Sequence, residues 1–153
     1  MKEVSESIRD ILTSETEAVY ILERVVNETE TTGGLEFINH IYEFYTSFPS
    51  YVSSAGFIED PDEVCNFADA LKKVGSVDDL KMLEKILSTY RRYGFEFSRG
   101  SVHEISLSDS DSEELDQELK ALDKEYFDCD ENDFHLKAES CRLAVAWLKE
   151  NFK

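Results

Sequence analysis

Between Asp60 and Gly94 the chain carries two amphipathic helices in succession, and few other structures accommodate the pattern. Val64, Phe67, Ala68, Leu71 and Val74 recur at steps of three and four residues, as do Leu80, Leu83, Ile86, Leu87 and Tyr90 after Gly75. That spacing collects side chains on one face of an α-helix. The punctuation agrees with the period. Asp60-Pro61-Asp62-Glu63 supplies a cap, a proline at the first helical position and acids in the first turn. Gly75 stops the first helix and Ser76 caps the second, whose last turn holds Arg91 and Arg92 before Gly94. So short a connection makes the pair antiparallel.

The same grammar covers most of the chain. Ser14 with Glu17 reads as a capping box opening a helix with Ala18, Ile21, Leu22, Val25 and Val26 on one face, to about Glu28. Thr31-Thr32-Gly33-Gly34 interrupts it, the glycines permitting a turn with positive φ. Ile38, Ile41, Tyr42, Tyr45 and Phe48 then resume helical spacing until Pro49. Ser110 with Glu113 suggests a second capping box, ahead of Leu115, Leu119, Leu122 and Tyr126. A last helix from Asn132 or Asp133 turns Phe134, Ala138, Cys141, Val145, Leu148 and Phe152 inward, with Trp147 at its flank. Residues 50–59 read as an irregular connection, and the alternation over 95–108 admits a short hairpin. At 153 residues, 41% apolar, the chain suits one core. The expectation is an all-α fold: a single-domain bundle of five or six helices, one acidic domain over residues 1–153.

Several function classes fall away. No run of about 20 apolar residues occurs, so no membrane span is expected. MKEVSESIRD lacks the apolar segment of a secretory signal, so the expected address is cytoplasmic. Cys65, Cys129 and Cys141 share no CxxC spacing and read as small buried hydrophobes rather than a disulfide or zinc framework. The three histidines, His40, His103 and His135, belong to no catalytic motif, and no GxSxG, HExxH, GxxxxGK[ST] or GxGxxG is present. No enzyme activity and no cofactor are expected. Asp128, Asp130 and Asn132 occupy positions 1, 3 and 5 of an EF-hand-like loop with Glu139 at position 12. However, Asp133 stands where the loop needs glycine and His135 where an aliphatic side chain packs, so no metal site is expected there. The same loop started at Asp109 ends on Lys120 and fails.

What remains is charge. The formal net charge is −18, distributed as 15 acids against 3 bases over residues 1–70, 4 against 7 over 71–100, and 15 against 6 over 101–153. Such a field repels nucleic acid and anionic membrane and attracts cationic partners. The basic side chains of the middle segment, Lys72, Lys73, Lys81, Lys85, Arg91 and Arg92, read as partners of nearby acids and not as a nucleic-acid surface. Between Asp109 and Asp133 stand 12 acids and 2 lysines. If helical throughout, that span is about 37 Å long, one net charge per roughly 3.7 Å, against about 3.4 Å per charge along one DNA strand.

The order of elements adds a resemblance. The Thr32-Gly33-Gly34-Leu35 turn, the helix end Ala68-Asp69-Ala70-Leu71-Lys72-Lys73-Val74-Gly75 and the run Leu119-Lys120-Ala121-Leu122-Asp123-Lys124-Glu125-Tyr126-Phe127 together resemble the bacterial DNA-mimic protein family of the DNA mimic protein 19 type, over about residues 18–150. Thr32 stands where that family usually has Asn, and Phe37 where Gln is common. The resemblance implies an acidic all-α protein whose surface imitates duplex DNA and occupies the binding face of a DNA-binding protein. The expected partner is therefore a basic DNA-binding protein such as a transcriptional regulator, or a basic toxin if the chain is an immunity protein. The candidate partner-binding residues are Asp109, Asp111, Glu113, Glu114, Asp116, Glu118, Asp128, Asp130 and Glu131, with a second patch at Glu17, Glu23, Glu28 and Glu30.

Overall fold

Among the described residues the apolar stripes become the inward faces of helices, while Phe48, Phe134 and Ala138, with the expected helix start at Asn132 or Asp133, lie outside them. The computed structural model describes residues 3–47, 60–100, 106–127 and 139–153. In order they form α1 (Val4–Ser14), α2 (Ala18–Glu28), a 3-10 turn (Gly33–Leu35), α3 (Glu36–Ser47), α4 (Pro61–Val74), α5 (Val77–Arg91), α6 (Asp109–Phe127) and α7 (Glu139–Asn151). The fold is all-helical, with no strand among the described residues.

Seven α-helices among the described residues replace the five or six expected, and the addition is α1. Its apolar positions Val4, Ile8, Ile11 and Leu12 also keep helical spacing, and Ile8 and Ile11 are buried. Ser14 consequently ends α1 instead of opening α2. Its hydroxyl donates to the Ile11 carbonyl at 3.3 Å and accepts from Arg24 Nη1 at 2.8 Å. A serine three residues before a glutamate is equally at home bonding back into the preceding turn, which is why the capping-box reading failed here. The second capping box shifts similarly. α6 starts at Asp109, and Ser108 Oγ accepts from the Asp111 amide at 3.1 Å.

The core is one cluster that includes Ile21, Leu22 and Val25 of α2, Ile38 and Ile41 of α3, Val64, Phe67 and Leu71 of α4, Leu83, Ile86 and Leu87 of α5, and Cys141, Ala144 and Leu148 of α7. α3 packs on α4 and α2 on α7. On α3 the buried stripe is Phe37, Ile38, Ile41 and Phe44, while Tyr42 and Tyr45 sit half-buried at its margin, where a phenol can reach water. Phe37 meets Trp147 edge-on with centroids 4.8 Å apart, and Lys73 Nζ stands 5.0 Å above the Phe37 ring. The glycine corner is closed by Asn39 Nδ2, which donates to the Thr31 carbonyl at 3.1 Å. Only Gly33 of the pair takes a positive φ, 56°.

Buried Cys141 behaves as the expected small hydrophobe, its thiol pushed up to about 12 by burial. Cys65 is half-buried and donates from Sγ to the Phe97 carbonyl at 3.0 Å. Cys129 and the 50–59 connection lie outside the described residues.

Two chain reversals position the outer layer. Gly75, at φ 75° and ψ 28°, ends α4 with its own amide bonded to the Lys72 carbonyl and the Ser76 amide to the Leu71 carbonyl. This is the left-handed cap that glycine reaches without steric penalty. Gly75→Ala is expected to lower unfolding stability by about 1 kcal/mol through backbone strain alone, since open space surrounds the missing methyl; urea denaturation with an unchanged slope is the check.

After α5 the chain runs without regular structure through Phe95 to Phe97 and turns over Ser98 to Gly100, and the hairpin expected over 95–108 is corrected. No strand forms at the described residues 95–100 and 106–108. Phe95 and Phe97 do lie on one side, their rings within 9° of parallel and both edge-on to Tyr90. Alternation reports an extended backbone, and pairing requires a second strand. Here side chains of α4 take that role. Arg99 Nη2 bonds Asp69 at 2.7 Å, Arg99 Nη1 bonds Asn66 at 2.9 Å, and the Gly100 amide donates to Asp62 Oδ1 at 2.8 Å.

Candidate functional site

α6 lies on the outside of the bundle, packed mainly against α5. Leu115, Leu119 and Leu122 are its buried line. Three leucines at steps of four and three cover one narrow face and leave most of the circumference to water. Because 19 residues of helix extend about 28 Å, the carboxylates of α6 sit on a rod fixed from one side.

The acids fall into two rows flanking the solvent face. Asp109, Glu113 and Asp116 follow one another at steps of four and three, and Asp111, Glu114 and Glu118 at steps of three and four. Each step is about 4.5 to 6 Å along the axis. The second row faces α5. There Arg92 Nη1 meets Glu118 Oε1 at 2.7 Å, Tyr93 Oη donates to Glu118 Oε2 at 2.6 Å, and Lys85 Nζ meets Glu125 at 2.7 Å. The two partner sets run in opposite directions along their helices, so α5 and α6 are antiparallel. The bond to the Glu118 carboxylate pushes the Tyr93 hydroxyl up to about 12, with burial and nearby negative charge adding to it.

Neutralisation is therefore uneven. Asp116 pairs with Lys120 at 3.0 Å, and Glu118 is half-buried and already holds Arg92 and Tyr93. Asp109, Asp111, Glu113 and Glu114 are exposed and form no ion pair with a described residue. Of the sequence candidates these four are exposed without an ion pair to a described residue, all in the N-terminal half of α6, with Asp109 and Glu113 on one flank and Asp111 and Glu114 on the other. Asp128, Asp130 and Glu131 lie outside the described residues, as does the EF-hand-like loop up to residue 138.

The acids around α2 are arranged differently. Glu28 takes both Arg24 Nε at 2.6 Å and Nη2 at 3.1 Å, and is held below the usual carboxylate range first by those hydrogen bonds. Glu23 is half-buried near Tyr42, whose hydroxyl is raised by burial and then by Glu23. Glu17 and Glu30 are exposed at opposite ends of the helix. These four do not form one patch, since Glu17 and Glu30 lie beyond opposite ends of the helix, Glu23 is half-buried, and Glu28 is already bound by Arg24.

A further carboxylate group joins the N-termini of α5 and α7. Asp79, 7% exposed, accepts from the Ser76 hydroxyl at 3.1 Å and from the Ser140 amide at 3.0 Å through Oδ2. Glu139 in turn accepts a backbone bond from Asp78. Each helix start is thus capped by an acid of the other. Both carboxyls are raised above their ordinary values, chiefly by burial. With Asp79 committed to capping donors, the arrangement is structural.

Sequence reading missed Arg92, Tyr93 and Lys85 as partners of α6. The available signal was the basic end of α5 set against the acids of α6, which becomes legible once the two are known to be antiparallel. Beside their contact runs an open groove of about 480 Å³, lined by Arg92, Tyr93, Glu114, Gln117, Glu118 and Ala121. His40 is half-buried with Nδ1 lacking a partner among the described residues; His103 and His135 lie outside them. No group of three or more His, Cys, Asp or Glu side chains suited to a metal ion, and no helix long and apolar enough to cross a membrane, occurs among the described residues.

Comparison with known proteins gives one result. A family model described as DMP19-like protein matches residues 11–151. Neither the curated proteins nor the solved structures give a match.

Proposed function

Since the chain belongs to the DMP19-like protein family, which its sequence motifs already resembled, we propose that it is a non-enzymatic DNA mimic: a binding protein whose carboxylates occupy the nucleic-acid-binding face of a basic partner such as a transcriptional regulator. The observation that carries this reading is that Asp109, Asp111, Glu113 and Glu114 are exposed with no ion pair among the described residues, on a helix anchored by Leu115, Leu119 and Leu122. Carboxylates on a rigid rod accept hydrogen bonds from Arg and Lys as phosphate oxygens do, with little conformational entropy left to lose on binding. The net charge of −18 adds long-range attraction, which accelerates encounter and makes it sensitive to salt. The pairs Arg92–Glu118 and Lys85–Glu125 support the same reading, because they brace α6 at its far half while its near half stays available.

Capture from a lysate of the native host, with the protein immobilised at low ionic strength, tests this. Basic, nucleic-acid-binding proteins are expected to be retained, to be displaced by duplex DNA, and to elute as salt approaches roughly 1 M, where charges are screened beyond about 3 Å. Retained proteins that are not basic, or that DNA leaves in place, would overturn the mimic reading. A single toxin held through high salt would instead identify an immunity protein.

A further inference from the structure

The groove between the end of α5 and the middle of α6 adjoins the free carboxylates, and its chemistry is more selective than theirs. We infer that it is a receiving site for one arginine side chain of the basic partner, an assignment that rests on the acidic-interface reading above. Of the charged groups lining it, Arg92 is one cation against the two anions Glu114 and Glu118. Glu118 has both oxygens occupied, Oε1 by Arg92 at 2.7 Å and Oε2 by Tyr93 at 2.6 Å. Glu114 is exposed and has no ion pair with a described residue. The groove therefore lacks one cation, and Glu114 is the group left to meet it. Asp111, one turn earlier in the same row, adds a further exposed negative charge beside Glu114.

Shape selects the kind of cation. The bond to Glu118 fixes the Tyr93 hydroxyl, and with it the ring lining the groove, while Ala121 contributes only a methyl and leaves the groove open beside it. A planar guanidinium can lie against an aromatic ring and still offer two parallel N–H donors to a carboxylate. A lysine ammonium offers a point charge on a flexible stem and gains little from the ring. Arg92 does not fill this role itself, since its guanidinium is turned to Glu118 Oε1.

The test uses end-blocked octa-arginine and octa-lysine peptides, with binding to the full chain followed by fluorescence anisotropy at low salt. Octa-arginine is expected to bind about five-fold tighter than octa-lysine, the difference between forked, stacked recognition and a point charge. Ala121→Leu, an exposed position, fills the groove and is expected to bring the two peptides within about two-fold of each other while octa-lysine affinity holds. Glu114→Gln should also erase the preference, and it keeps the proposal testable if Ala121→Leu fails to fold by circular dichroism. Equal affinity of the native protein for both peptides, or a preference that survives both substitutions, would remove the groove assignment and leave the acidic interface standing. If neither peptide binds at low salt, the interface reading falls and the groove with it.

Discussion

Amidation of Asp109, Asp111, Glu113 and Glu114 in a single variant (D109N/D111N/E113Q/E114Q) is expected to weaken binding to the partner captured from the host by about 100-fold at low salt, since each exposed charge contributes a few-fold and they act on one contact surface. The loss should appear largely in the association rate, and the salt dependence of the remaining affinity should flatten. Folding should survive. All four side chains are exposed, and Ser108 still caps the Asp111 amide at 3.1 Å, although amides give up part of the favourable interaction of acids with the first turn. Glu125→Gln is the matched control, because Glu125 is already held by Lys85 at 2.7 Å and has little charge to offer a partner. Calorimetric titration of the captured partner with native protein, the quadruple variant and the control decides the matter. Equal affinities for native and quadruple variant would mean that this half of α6 is not the contact surface.

Asp79→Ala should be the most destabilising single exchange outside the apolar core. It would strip the acceptor from the Ser76 hydroxyl and the Ser140 amide, both on residues 1% exposed. Two buried donors without partners and one lost helix cap give an expected cost of about 3 kcal/mol, read as a fall in urea midpoint. Asp79→Asn retains an acceptor for Ser140 and should cost far less. The pH dependence separates the two contributions. Burial raises the Asp79 carboxyl above its ordinary 3.8, so the folded protein binds this proton more readily than the unfolded chain does. Its contribution to stability is greatest below 3.8 and declines as pH rises through the folded value. Relative to Asp79→Asn, which cannot titrate there, the native protein should lose ground over that rise. A native protein that gains on the variant with increasing pH would mean that hydrogen bonding to the carboxylate outweighs its desolvation.

The local grammar of the chain was readable where residues near in sequence act on one another. The α4–α5 pair, with Asp60 accepting from the Asp62 and Glu63 amides at 3.1 and 3.3 Å and Gly75 in the left-handed region, stands as its pattern implied, except that Ser76 at the start of α5 turns its hydroxyl to Asp79 and caps no amide. The leucine line of α6 did too. Errors arose where one pattern serves two structures. Ser14 bonds back into α1 as easily as it would cap α2, and the alternation at Phe95 and Phe97 fits a strap against α4 as well as a hairpin. α1 is legible in the helical spacing of Val4, Ile8 and Ile11, of which Ile8 and Ile11 are buried.

The acidity, the all-helical class and the family were determined by the sequence alone, since total charge and apolar period add up residue by residue without regard to what lies across the molecule. Which carboxylates remain free was decided only by tertiary structure. Arg92 reaches Glu118, Lys85 reaches Glu125 forty positions away, and Asp79 reaches Ser140 across sixty-one. Charge pairing depends on distances of a few ångströms, and for residues on different helices those distances are set by how the helices cross, which no local spacing encodes.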